Sequence, residues 1–145
     1  MAETPRPSVQ LKYGLAGGGA AHAGEQPYVL VVDDDPDMTR LLTAALATRG
    51  ISCTAAYDSI QGFMLTQRRH PKLILLDWHM PGGGGPAMLH QLTRSAHTKD
   101  IPVVVVTQDI SPEVDIIAAQ HGAKAVLRKP IDPMKFLDLV AALVK

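Results

Sequence analysis

Short apolar segments alternate with amphipathic segments from Tyr28 onward, and this alternation restricts the fold more than any other feature of the chain. The apolar segments are YVLVV, SCTAAY, KLILL, PVVVV and KAVLR. Most of them consist of Val, Ile and Leu without polar alternation, which is typical of strands covered on both faces of a parallel sheet. In the stretches between them, apolar residues recur at intervals of three and four, which predicts helices.

Several of the predicted helices begin with a capping residue followed by proline. The pairs are Asp35-Pro36, Gly85-Pro86, Ser111-Pro112 and Asp132-Pro133. Proline is tolerated at a helix start because the N–H group that it lacks would have no partner there. The resulting five strand–helix units predict an α/β fold, a doubly wound (βα)5, flavodoxin-like three-layer sandwich with parallel strand order 2-1-3-4-5.

Composition divides the chain and excludes some classes of function. The segment LAGGGAAHAGEQP lacks periodicity, so residues 1–27 are predicted to be a flexible tail ahead of one domain at 28–145. A net charge of 0 argues against binding to nucleic acid or to an anionic membrane surface. One cysteine, short apolar runs and the lack of a signal peptide predict a cytoplasmic protein without a membrane span.

Polar side chains follow four of the five predicted strands at their carboxyl ends. Asp33 and Asp34 follow the first strand, Asp77 the third, Thr107 the fourth and Lys129 the fifth. Open parallel sheets bind ligands at this edge, and the first and third strands are neighbours in the predicted order, so the carboxylates should converge. Converging carboxylates repel one another unless a cation intervenes, and an all-oxygen site suits Mg²⁺. Together with a lysine and a hydroxyl, they predict phosphoryl transfer to a carboxylate nucleophile.

Four motifs resemble, in order and spacing, those of the receiver domain of two-component response regulators. They are VLVVDDDPDM, LILLDWHMPG, VVVVTQ and VLRKP, and the resemblance covers residues 28–145. It implies that Asp77 is the phosphoacceptor, that Thr107 is the switch hydroxyl and that Lys129 contacts the phosphoryl group. It also implies a cis peptide bond between Lys129 and Pro130.

The resemblance further implies a Mg²⁺ site. Its ligands would be Asp34, Asp77 and the backbone carbonyl of His79, with Asp33 acting directly or through a water molecule. The implied partner is a sensor histidine kinase or a histidine phosphotransfer protein, and the chain would be a phosphoacceptor without a separate substrate, hence not an enzyme. Because the chain ends with the fifth predicted helix, we expect its output to be contact with an unidentified downstream protein, onward phosphotransfer or consumption of phosphate. A homodimer is left open.

Three positions depart from the family pattern. Val126 stands where the family usually has an aromatic residue whose ring follows the threonine on activation, and Gln108 stands where a small residue is usual. Gly82 to Gly85 replace the usual Met-Asp-Gly, so this loop is expected to be unusually pliant. Trp78, beside the phosphoacceptor, is expected either to be partly exposed or to serve packing alone.

The imidazole of His79 is less suited to ligate a metal than to control the access of water. His79 and Asp109 occupy positions that tune hydrolysis of the aspartyl phosphate in this family. The remaining histidines show no ligand spacing, which favours a solvated surface; these are His22, His70, His90, His97 and His121.

Other functions stay open on the sequence alone. A magnesium-dependent phosphatase with an aspartyl nucleophile would carry a second acid two residues past Asp77, where this chain has His79. A dinucleotide-binding fold would need a Gly-rich turn after the first strand, where DDDP would repel pyrophosphate. An unphosphorylated docking module is favoured if Val126 and Gln108 have uncoupled the switch, and a phosphate sink would need no state-dependent partner.

Overall fold

The computed structural model describes residues 28–81 and 84–144, in which five strands alternate with five helices. The strands are β1 (Tyr28–Val32), β2 (Ser52–Ala56), β3 (Leu73–Asp77), β4 (Val103–Thr107) and β5 (Ala125–Arg128). The helices are α1 (Pro36–Ala47), α2 (Ser59–Arg69), α3 (Gly84–Arg94), α4 (Pro112–Gln120) and α5 (Pro133–Leu143). None of these described helices has the length and apolarity to cross a membrane. The predicted tail, residues 1–27, lies outside the described residues.

The strands form one parallel sheet in the order β2-β1-β3-β4-β5, which confirms the predicted fold class and strand order. β1 and β3 are direct neighbours, with Val32 opposite Leu76. On the other side of β3, Asp77 is opposite Val106 of β4. Thr107, the last residue of β4, is opposite Arg128 of β5. This register brings the last residues of the central strands to one edge of the sheet.

Two apolar layers, one on each face of the sheet, form the core. Residues of β1, β3 and β4 are buried along the whole length of each strand, which explains why their sequences lack polar alternation. One layer joins alternate strand residues to α2, α3 and α4 through Leu65, Met88, Leu89, Leu92 and Val114. The other joins the intervening residues to α1 and α5 through Leu42, Leu46, Phe136, Leu137 and Val140.

Helix starts follow the predicted capping pattern with one difference. The side chains of Asp35, Ser111 and Asp132 accept hydrogen bonds from backbone N–H groups in the first turns of α1, α4 and α5. α3 begins at Gly84, so Pro86 is its third residue and not its first. This position is still compatible with proline because the N–H groups of the first helical turn have no partner within the helix.

Gly84 and Gly85 bring the start of α3 into close contact with the end of β3. Gly84 has a φ of 63°, and a Cβ atom there would lie 2.9 Å from the backbone oxygen of Trp78. A Cβ atom on Gly85 would lie only 2.5 Å from the backbone oxygen of Asp77. The N–H of Gly85 donates a hydrogen bond to the oxygen of Trp78 at 3.0 Å. The sequence predicted a pliant loop, but in Gly84 and Gly85 the lack of a side chain permits close packing; the remainder of the GGGG segment lies outside the described residues.

Gly85→Ala should therefore lower the free energy of unfolding by about 3 kcal/mol, because its methyl group would overlap the backbone of β3. Gly50→Ala is the matched control: its φ is 71°, but a Cβ atom there would meet nothing within 4 Å. Only backbone strain of about 1 kcal/mol is expected at that position. Urea denaturation measures both losses, and equal losses would contradict the close-packing explanation.

Candidate functional site

Three carboxylates converge at the carboxyl edge of the sheet. Asp33 follows β1, Asp77 ends β3, and one oxygen each from Asp33, Asp34 and Asp77 lies within 4.8 Å of the others. Asp33 and Asp77 are only 2% and 7% exposed, whereas Asp34 is exposed. Oxygen ligands gathered in this way fit a hard divalent cation such as Mg²⁺, which retains several water molecules and needs only a few carboxylates. The geometry thus brings together the acidic residues that the sequence assigned to this edge.

The environment of Asp77 makes its charged form unfavourable. Burial raises the pKa of Asp77 to about 6, and the charges of Asp33 and Asp34 act in the same direction. The ammonium group of Lys129 and a hydrogen bond from the backbone of His79 oppose this rise. Asp77 is therefore mostly ionised at neutral pH, but the protein alone compensates its charge poorly.

Lys129 supplies a positive charge inside the site. Its Nζ donates a hydrogen bond to Oδ2 of Asp33 at 2.9 Å and lies 3.6 Å from Oδ1 of Asp77. Burial alone would lower the pKa of Lys129, but the hydrogen bond to Asp33 and the nearby carboxylate charges outweigh burial and raise it. The side chain is therefore a permanent cation shared by two carboxylates. The peptide bond between Lys129 and Pro130 is cis, as predicted.

Thr107 lies fully buried at the end of β4, directly after the residue opposite Asp77. Its Oγ1 accepts a hydrogen bond from the N–H of Asp109 at 3.0 Å, and its carbonyl accepts one from the N–H of Lys129 at 2.8 Å. The hydroxyl hydrogen remains available to another acceptor. Thr107 therefore connects the carboxyl edge of the sheet with the loop that leads to α4.

His79 and Asp109 form a bridge between the loops after β3 and β4. Nε2 of His79 lies 2.7 Å from Oδ2 of Asp109, and this hydrogen bond holds the pKa of Asp109 below its usual range. Sequence analysis named both positions but missed their contact. The available signal was their equal offset: each residue comes two positions after the end of its strand, and the two strands are neighbours.

Trp78 and two of the positions that depart from the receiver pattern have distinct surroundings. Trp78 is only 4% exposed and belongs to the apolar core, so the expectation of partial exposure is wrong and the packing role applies. Val126 is partly buried against the same core, and Gln108 is exposed. Sequence analysis did not single out Arg128, whose guanidinium contacts Asp115 in α4.

The remaining described histidines lie away from the carboxylates in sequence and form two ring contacts that their spacing did not predict. His70 and His97 have ring centroids 5.4 Å apart, and those of His90 and His121 are 5.3 Å apart. Three of the four are exposed and His121 is partly exposed, as expected for a solvated surface. His22 lies outside the described residues.

Comparison with known proteins identifies a matching family and several similar proteins. The family model of the response regulator receiver domain matches residues 29–141. Protein PilH of Pseudomonas aeruginosa is 33% identical over 116 residues, covering 80% of this chain and 96% of PilH. The phosphate regulon transcriptional regulatory protein PhoB of the same organism is 30% identical over 117 residues, covering 81% of this chain but 51% of PhoB. The chain thus spans about half the length of PhoB.

A solved structure agrees with the fold. The chemotaxis protein CheY4 of Vibrio cholerae superimposes with a TM-score of 0.77 at 24% sequence identity, covering 82% of this chain and 99% of CheY4. At this level of identity the likeness concerns the fold alone.

Asp77→Asn should raise the free energy of unfolding at pH 7 by about 2 kcal/mol in the absence of divalent cations. The pKa of Asp77 is about 6 in the folded protein, above the ordinary value of 3.8, so ionisation opposes folding above pH 6. The gain should shrink as the pH falls from 6 to 3.8, because the wild-type carboxyl becomes protonated in both states. Urea denaturation across this range measures it, with Asp100→Asn on the exposed surface as the control. A pH-independent difference would contradict the assignment.

Proposed function

The chain belongs to the response regulator receiver family, and we propose that it accepts a phosphoryl group onto Asp77 from a phosphohistidine donor, with Mg²⁺ bound at the same edge. The single observation that carries this proposal is the convergence of three carboxylates: one oxygen each from Asp33, Asp34 and Asp77 lies within 4.8 Å of the others, and Asp77, the proposed nucleophile, is buried. Such an arrangement is unfavourable as a purely structural feature, because like charges in a buried site oppose one another. It becomes favourable when a cation and a phosphoryl group bind together.

In the proposed reaction an oxygen of Asp77 attacks the phosphorus atom of the donor. A phosphorus–oxygen bond forms while the phosphorus–nitrogen bond to the donor imidazole breaks, and the imidazole leaves with the bonding electrons and takes up a proton. Asp33, Asp34, Asp77 and the backbone carbonyl of His79 would hold Mg²⁺, which when bound neutralises charge on the phosphoryl oxygens. The protein is thus a phosphoacceptor that assists its own modification.

Lys129 and Thr107 would stabilise the product. The ammonium group of Lys129, now 2.9 Å from Asp33 and 3.6 Å from Asp77, would pair with a phosphoryl oxygen once Asp77 carries the acyl phosphate. The hydroxyl of Thr107 has a free hydrogen to donate to another phosphoryl oxygen. Thr107 ends β4, the neighbour of β3, and Lys129, which follows β5, already lies 3.6 Å from Asp77.

The proposed partners are proteins in the cytoplasm. The donor would be a sensor histidine kinase or a histidine phosphotransfer protein, and the output would be contact with a downstream protein or onward phosphotransfer. Exposed apolar side chains on the β4–α4 loop and α4 support a protein contact: Ile110 is 85% exposed, and Ile116 and Ile117 are also exposed. A docking module that works without phosphorylation is the second candidate, favoured by the exposed Gln108 beside Thr107 and by the aliphatic Val126.

Mg²⁺ binding should change the fluorescence of Trp78, the only tryptophan of the chain, because it adjoins Asp77. Asp34→Asn should weaken Mg²⁺ affinity at least roughly tenfold, since it removes a ligand at an exposed position that the fold does not need. Affinity should also fall as the pH drops through about 6, where protons compete for Asp77. Titration with MgCl₂ tests this, with Asp100→Asn as the control. Unchanged affinity in Asp34→Asn would contradict the ligand assignment.

Exposure to phosphoramidate and Mg²⁺ should add one phosphoryl group to the wild-type protein, because this small donor carries the same phosphorus–nitrogen bond as phosphohistidine. Intact-mass spectrometry should show no addition in Asp77→Asn and little without Mg²⁺, whereas Asp100→Asn should behave as the wild type. Label that survives Asp77→Asn would end the proposal. An unmodified wild-type chain would favour the docking module.

A further inference from the structure

A closed ring of hydrogen bonds connects the end of β4 with the start of α4 and with β5. The hydroxyl of Thr107 accepts from the N–H of Asp109 at 3.0 Å, and the carboxylate of Asp109 accepts from the N–H of Ser111 at 2.8 Å. The carbonyl of Ser111 accepts from the guanidinium of Arg128 at 3.2 Å. The N–H of Lys129, the residue after Arg128, closes the ring by donating to the carbonyl of Thr107 at 2.8 Å.

Arg128 also holds the first turns of α4. Its two terminal nitrogens donate to the two carboxylate oxygens of Asp115 at 3.2 and 2.7 Å. The side chains are 29% and 53% exposed, so this ion pair adds little to global stability. The ion pair instead fixes orientation, because a planar guanidinium that binds both oxygens of a carboxylate holds the two groups in one relative position. Arg128 thus links β5 to both Ser111 and Asp115.

The position of Arg128 suits it to a task that Val126 cannot perform. Val126 carries no aromatic ring that could follow a moving Thr107 side chain, and its side chain packs against the core. Arg128 adjoins Lys129, whose N–H donates to the carbonyl of Thr107 at 2.8 Å. Arg128 is therefore next in sequence to Lys129, which is proposed to contact the phosphoryl group, and its own side chain reaches Asp115 in α4.

We propose that Arg128 is a positioning residue that couples the hydroxyl of Thr107 to the start of α4. When the hydroxyl turns toward a phosphoryl group on Asp77, the N–H of Asp109 loses its acceptor and the loop to Ser111 is released at that end. Arg128 holds Ser111 and Asp115 at the other end, so the change is passed to α4. The movement of the Thr107 hydroxyl rests on the proposed function, because it requires a phosphoryl group on Asp77. The ring of hydrogen bonds is present without phosphate.

The first test uses the full unphosphorylated chain and needs no phosphate. Amide hydrogen exchange is measured at residues 111–115 in Thr107→Val, Arg128→Lys and the double variant. Lysine keeps the positive charge of Arg128 but cannot form its bidentate hydrogen bonds to a carboxylate. Each single variant should raise the exchange rate about fivefold, as expected for one lost hydrogen bond, and the double variant should rise no further than the larger single effect.

Arg94→Lys on the exposed surface of α3 is the matched control. By itself it should leave the exchange rate at residues 111–115 unchanged, and combined with Thr107→Val it should give the rate of Thr107→Val. Additive effects of Thr107→Val and Arg128→Lys, or no effect of Arg128→Lys, would overturn the proposal.

The second test adds phosphoramidate and Mg²⁺. Wild-type protein should change its exchange at residues 111–115 on modification, and Arg128→Lys should lose most of that change while accepting the phosphoryl group within about twofold of the wild-type rate. A full wild-type response in Arg128→Lys would refute the coupling. If the wild type takes up no phosphoryl group, the proposed function fails, and the variants without phosphate still decide whether Arg128 couples Thr107 to α4.

Discussion

The buried meeting of carboxylates at one end of the sheet is the constraint on which the site depends. Asp77 lies among like charges and away from water, and this raises its pKa to about 6. Lys129 offsets part of that repulsion by lying between Asp33 and Asp77. The arrangement exists because β1 and β3 are adjacent and parallel, so that residues distant in sequence emerge side by side. Strand order, not local sequence, creates the charge density.

The scaffold fixes this site by close packing around β3. Both faces of the strand are covered, and the start of α3 approaches it so closely that Gly85 has no room for a side chain. Trp78, the residue after Asp77, is buried in the apolar core on one face of the sheet. Asp77 therefore stands on a closely packed support, while the loops that surround it carry the polar groups that can change partners.

Much of the fold follows from sequence, because apolar runs and capped prolines report local structure directly. The convergence of Asp33, Asp34 and Asp77 also follows once strand order is predicted. The contacts of His79 with Asp109 and of Arg128 with Asp115 are harder to predict, since strand order and offset bring the residues near one another but side-chain orientation decides whether they touch. For Trp78 the sequence leaves both partial exposure and a packing role open, because a position beside a polar site suggests solvent, and the structure shows the packing role. The sequence predicts a pliant loop at Gly85 because nothing local reveals the backbone that this residue contacts.

The hydrogen bond between His79 and Asp109, which joins the loops after β3 and β4, is easily broken. Its histidine side chain is 67% exposed, so water and salt compete for the contact and little free energy is needed to part it. The loops after β3 and β4 can therefore separate at this contact while the buried strands that carry them stay packed.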